Sequence, residues 1–164
     1  MTNGIPPGLH VAAGGLSLVH GSPLADEPGV GALTIGGYLR EVAARHGAAE
    51  ALVMRSGAER LVWSYDDLLA ASLRVGAALI ACGLGKGGRV GILMTNRCEF
   101  LSALFGTALA GGVPVALSTF STESELDYLV KASEASVLLY EQHVLKKDFH
   151  AMLTESGCGG LAVL

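Results

Sequence analysis

Several common routes to a function are closed to this chain by what it lacks. Its 164 residues hold three cysteines, Cys82, Cys98 and Cys158, far apart and without a CxxC pair. That number and spacing offer neither a disulfide framework nor a zinc knuckle, and they read as reduced thiols in a cytoplasmic protein. The histidines, His10, His20, His46, His143 and His150, never fall two to a helix face, so no metal site is expected. Basic residues are few and scattered, 11 Lys and Arg against 15 Asp and Glu for a net charge of −4. A nucleic-acid surface needs them clustered, so no nucleic-acid partner is expected. The start of the chain shows no basic segment leading into an apolar core, so no signal peptide is read there. No GxSxG elbow occurs, and no serine or cysteine stands by motif beside a histidine, so no catalytic residue is assigned.

Proline is nearly absent after residue 28. Pro6, Pro7, Pro23 and Pro28 crowd the first 30 residues together with many glycines, and only Pro114 follows. Residues 1–30 are therefore expected to form an extended arm and residues 31–164 an α/β subdomain. One stretch has no charge at all: Phe100 to Thr122, 23 residues. Its length would span a bilayer, but Gly111, Gly112 and Pro114 interrupt it and its second half is rich in hydroxyls. A buried helix followed by a buried parallel strand explains it better, and no membrane span is expected.

What is present is a succession of capped helices and short apolar runs. A helix is predicted from Thr34, its N-cap, to His46, with Tyr38, Leu39 and Val42 on one face. Ala51–Met54 and Leu61–Trp63 suggest a hairpin. Ser64 and Asp67 resemble a capping box opening a second helix, with Tyr65, Leu69, Leu73, Gly76 and Ile80 as its buried stripe and Gly83 as a left-handed stop. A third helix spans Glu99 to Ala110. Thr122-Glu123-Ser124-Glu125 is a full capping box for a fourth, and a fifth is predicted over Val144–Ser156. Apolar runs near 90–94, 113–117, 137–140 and 161–164 alternate with these helices. The fold class is thus α/β, a mainly parallel sheet flanked by helices.

The loop Gly83-Leu84-Gly85-Lys86-Gly87-Gly88 invites a phosphate-loop reading that fails twice. Ile80 stands where a Walker loop needs its first glycine, and Gly87 where it needs a hydroxyl. The loop also follows a helix and enters a strand, whereas phosphates sit at helix N-termini. It reads as a tight helix-to-strand turn. Ligands of parallel sheets bind beyond the carboxyl ends of the strands. Two loops meet that condition, Thr95-Asn96-Arg97 and Ser118-Thr119-Phe120-Ser121. For the first, Asn96 as a turn or helix-cap residue is the favoured reading. For the second, a hydroxyl-rich lead into the capping box at Thr122 is as good a reading as ligand contact. Trp63 and Tyr65 read as core residues.

In their order, these residues resemble the N-terminal region of the adenylate-forming superfamily, in its acyl-CoA synthetase branch. Trp63-Ser64-Tyr65-Asp66-Asp67-Leu68 is similar to the family's first conserved segment. Gly83 to Val90 resembles its helix-to-strand turn, with Gly88 where aspartate is usual. Asn96-Arg97-Cys98-Glu99-Phe100 resembles a family helix start, and Ala110 to Leu117 a family strand in which Pro114 arrives early. Leu16-Ser17-Leu18-Val19-His20-Gly21 resembles a phrase near the start of the fatty-acid-activating members.

The resemblance implies an ATP-dependent ligase that joins a carboxylic acid, of the fatty class, to coenzyme A through an acyl-adenylate, with Mg2+. It also implies that this chain is the front part of a larger synthetase, silent alone, whose phosphate loop, nucleotide motifs and catalytic lysine lie elsewhere. The remainder of that synthetase would be its partner, and an uncovered sheet would lead the piece to self-associate. Ser118 and Thr119 occupy the loop that lies near the coenzyme A tunnel in some relatives, with hydroxyl residues here where those carry glycines. A stand-alone, non-catalytic α/β association module is the alternative.

Overall fold

The computed structural model describes residues 9–11, 17–19, 34–57, 59–155 and 162–163. The chain forms two compact units, residues 1–32 and 33–164. In the first, β1 (Leu9–Val11) pairs antiparallel with β2 (Ser17–Val19), Leu9 opposite Val19. The rest of the expected arm lies outside the described residues, as do Cys158 and the end of the last predicted strand.

The second unit begins where Thr34, in extended conformation, accepts the Gly37 amide at 2.9 Å and opens α1 (Ile35–His46). A hairpin follows, β3 (Glu50–Ser56) antiparallel to β4 (Glu59–Ser64). Ser64 then starts α2 (Tyr65–Ala81) with a reciprocal capping box, its hydroxyl accepting the Asp67 amide while the Asp67 carboxylate accepts the Ser64 amide. The remaining elements are β5 (Arg89–Leu93), α3 (Cys98–Leu109), β6 (Val113–Ala116), α4 (Glu123–Ser133), β7 (Val137–Tyr140), β8 (His143–Val144), β9 (Lys147–Asp148), α5 (Phe149–Glu155) and β10 (Ala162–Val163). Thr122 and Glu125 form the predicted second capping box, and Lys131 pairs with Asp127 at 2.7 Å.

The sheet order is β10-β7-β5-β6, and every pairing in it is parallel. Alternation along the strands sends side chains to two separate cores. Val90, Ile92, Val137 and Leu139 pack with Leu79 of α2, Leu84 and Ala103 of α3. Leu93 and Leu138 point the other way, to Leu126 and Val130 of α4 and Phe149 and Leu153 of α5. β5 and β7 are thereby buried on both faces, as the inner strands of parallel sheets are, whereas β6, expected to be buried, leaves Val113 and Ala116 exposed. Pro114 fits the sheet because of its position. Val113 donates to Gly88 O and Leu117 to Ile92 O, so the amides of 113, 115 and 117 face β5 and those of 114 and 116 face the open side. The donor that proline lacks would have pointed away from the ladder.

Two expectations are corrected. The buried stripe of α2 is Leu68, Ala71, Ser72, Gly76 and Leu79, whereas Leu73 and Ile80 are 40% and 58% exposed. The cause is the closeness of α3. A Cβ on Gly106 would lie 2.7 Å from Ser72 O, and one on Gly76 would lie 3.0 Å from Gly106 O. Small residues therefore take the interface and the larger ones are turned out. The buried hydroxyls there are satisfied within their own helices, Ser72 by Leu68 O and Thr107 by Ala103 O. The fifth helix is also shorter than predicted. Leu145 adopts φ +55° and turns the chain into the β8–β9 hairpin, and Asp148 accepts the Ala151 amide at 3.1 Å to start the helix at Phe149.

Candidate functional site

The loops that leave β5, β6 and β7 all emerge at the same end of the sheet, because the three strands are parallel. Short apolar strands end where polar residues begin: Thr95 after β5, Ser118 after β6 and Glu141 after β7. The third of these loops was not singled out in the sequence, although the rule that picked the other two applies to it equally.

Glu141 is the hub. Its Oε2 accepts the Thr95 hydroxyl at 2.6 Å and the Thr95 amide at 3.1 Å, and its Oε1 pairs with Arg97 at 3.0 Å. Arg97 also pairs with Glu99 at 2.8 Å. Burial pushes the Glu141 carboxyl upward, but the two Thr95 bonds and the Arg97 charge outweigh it and hold the group below its usual value near 4.5. Hydrogen bonding to Glu99, against some desolvation, raises Arg97 in turn. With both oxygens engaged, Glu141 is a structural tie between two loops and is not placed to act as a free base.

The Ser118–Ser121 loop is fixed from within and from outside. Ser118 Oγ accepts the Phe120 amide at 3.2 Å, and Ser118 O accepts the Ser121 amide at 3.3 Å. From β9, Lys147 Nζ donates to Thr119 O at 3.1 Å and to Ser121 O at 2.7 Å. Thr119, Thr95 and Glu141 share a cavity of about 690 Å³ with Phe120, Val144, Leu145 and Lys147. Ser118 opens on a different recess, of about 630 Å³, against Ser124 and Tyr128 of α4. Asn96 belongs to neither. It lines an apolar crevice of about 290 Å³ with Leu52, Met54 and Phe100. Of the residues expected at the site, the structure thus brings Thr95 and Thr119 together, sets Ser118 on the other side of its loop, and separates Asn96.

Cysteine and metal chemistry find no foothold in these loops. Cys98 is buried, burial raises its thiol, and its Sγ lies 3.4 Å from Met54 Sδ. Cys82 is exposed and free. Among the described residues, no group of three His, Cys, Asp or Glu side chains is arranged to hold a metal, and no helix is long and apolar enough to cross a membrane.

Comparison with known proteins gives a consistent set of likenesses. The family profile described as AMP-binding enzyme matches residues 39–159. The chain is 33% identical, over 136 residues, to the acyl-CoA ligase sidI of Beauveria bassiana, covering 81% of this chain and 22% of that protein. It is 32% identical over 106 residues to the long-chain-fatty-acid–CoA ligase FadD13 of Mycobacterium tuberculosis, covering 65% of this chain and 21% of that one. The solved N-terminal domain of FACL13 from Mycobacterium tuberculosis superposes with a TM-score of 0.64 at 26% identity, over 79% of this chain and 32% of that one. The chain spans about a fifth of the length of the curated relatives it matches.

Proposed function

This chain belongs to the AMP-binding enzyme family, and from that premise we propose that it is the amino-terminal part of an ATP-dependent acid–coenzyme A ligase. The observation that carries the reading is the coincidence of sequence and geometry. The identity to acyl-CoA ligases runs over four-fifths of the chain, and the parallel sheet assembles its polar loops at one end. A carboxylate is a poor electrophile at neutral pH. Family enzymes use ATP and Mg2+ to give it an adenylate leaving group, and coenzyme A to take up the acyl unit. The name of the mycobacterial relative supports a fatty acid as substrate.

In this reading residues 1–164 supply scaffold and one wall, with no catalytic residue. Ser118 and Thr119 lie toward the thiol cofactor, a role supported by their position at the carboxyl end of β6 and by the cavity beside Thr119.

Pyrophosphate release tests the reading. The intact protein that carries this sequence, given ATP and Mg2+, should release pyrophosphate with at least one member of a panel of fatty and aromatic carboxylic acids, and coenzyme A should then yield the acyl thioester. A folded, ATP-binding protein inert with every acid would sink the proposal. Thioester formation on a carrier-protein arm in place of coenzyme A would redirect it.

A further inference from the structure

We propose that Lys147 is a positioning residue, which holds the Ser118–Ser121 loop in the conformation that meets the thiol cofactor. The inference rests on the ligase reading above and adds to it a residue far from the loop in sequence.

The loop itself contains no glycine or proline, so its own residues do not dictate one turn conformation. Its internal bonds, from the Phe120 amide to Ser118 Oγ and from the Ser121 amide to Ser118 O, are long at 3.2 and 3.3 Å. The bonds from Lys147 are better, 3.1 Å to Thr119 O and 2.7 Å to Ser121 O. A charged donor bonded to two carbonyls is roughly twice as strong per bond as a neutral pair. To bind one ammonium, the carbonyls of residues 119 and 121 must face the same side. This sets the orientation of two peptide planes, and with them the direction in which Thr119 enters the cavity.

Lys147 is itself anchored. It sits in β9, paired with Val144, two residues before Phe149, which is fully buried. The ammonium lies 5.9 Å from the centre of the Phe149 ring. The adjoining backbone is tied to the segment that leaves β7 by the Phe149 amide, which donates to Gln142 O at 2.8 Å. The lysine therefore transmits the placement of a packed element to an irregular loop.

The test uses the intact protein with Lys147→Met, which keeps the aliphatic stem and removes the donors, and Lys147→Arg, which restores two. Hydrogen exchange is followed on the peptide covering residues 117–122, with a β5 peptide as the internal standard. The methionine variant should exchange faster at 117–122 alone. It should also raise the KM for coenzyme A by about tenfold, the scale of one lost charge-assisted bond. ATP–pyrophosphate exchange with the acid should be unchanged, and arginine should recover most of both losses. Unchanged exchange at 117–122 overturns the proposal. Faster exchange with an unchanged KM for coenzyme A also overturns it, because the tie would then be structural only. Wild-type protein inert with every acid overturns the ligase reading and this role with it, a result no Lys147 variant can imitate.

Discussion

Two residues set limits on what this subdomain tolerates, and each gives a measurable expectation. Gly106 has Ser72 O and the Val75 side chain within 2.8 Å of where a Cβ would stand. A backbone carbonyl cannot step aside cheaply, so Gly106→Ala should cost about 1–3 kcal/mol in urea unfolding, as overpacking of a close interface does. Gly85, where a Cβ would meet nothing within 4 Å, is the control and should change little. Glu141 is the second. Its Thr95 and Arg97 partners keep the folded carboxyl below its ordinary value near 4.5, so its contribution is fully present above that value and fades as pH falls through the lower, folded one. Glu141→Gln should therefore lower stability by about 1–2 kcal/mol at pH 7, the worth of a charge-assisted bond. The gap to wild type should close as unfolding is repeated at successively lower pH below the ordinary carboxyl value. A gap that persists unchanged at acid pH would show that the carboxylate charge is irrelevant.

At the level of the element, caps and edges matter more than propensity. Thr122 accepts the Glu125 amide while the Glu125 carboxylate accepts the Thr122 amide, so Thr122→Ala should cost about 1 kcal/mol. Thermal unfolding would show it as a lower midpoint, and a serine there should restore it. Pro114 leaves the outer side of β6 one donor short. Pro114→Val would complete that side and should increase strand-to-strand aggregation on heating, read by light scattering.

These same elements mark how far the sequence could be read. Thr34, Ser64 and Thr122 announce their helices through side chains that act within three residues, and the four apolar runs announce the strands. In α2 the expected Gly76 does face inward, but Leu73 and Ile80 are exposed and Ala71 and Ser72 are buried, because the approach of α3 admits only small residues there. Half the candidate site was visible for a similar reason. Thr95, Thr119 and Glu141 all follow strands and are open to the rule that ligands bind beyond strand ends, but the partners that Glu141 and Lys147 hold lie 46 and 26–28 residues away, and no local pattern encodes such pairs.

For the molecule as a whole, the exposed apolar residues have a consequence. Leu73 and Ile80 lie open on α2, Phe120 and Leu145 are 86% and 93% exposed at the cavity rim, and among the described residues β10 has a strand neighbour on one side only. Covering such surface gains about 25 cal/mol per Å². We expect the 164-residue chain to associate with itself as concentration rises, and Ile80→Glu to weaken that association. Sedimentation showing a strict monomer at high concentration would contradict it. We also expect no tight ATP binding by this chain alone, since its glycine loop has neither the spacing nor the polarity of a phosphate loop. Titration calorimetry decides that.

The double-sided burial of β5 also raises a question of counting. In a strand wetted on one face, a shift by one residue is punished at once, because apolar side chains turn to water. β5 has no wet face to report such an error: Val90, Ile92 and Leu93 are all fully buried, and either layer would accept an aliphatic side chain. Gly91 breaks the tie. A Cβ there would stand 2.6 Å from Leu138 Cδ1 and 3.3 Å from Leu117 Cδ1. A strand displaced by one place would drive Val90 or Ile92 into that space. The missing side chain thus works as the notch of a key, favouring one reading frame of the strand, because either neighbouring frame would make the buried Leu138 and Leu117 side chains repack.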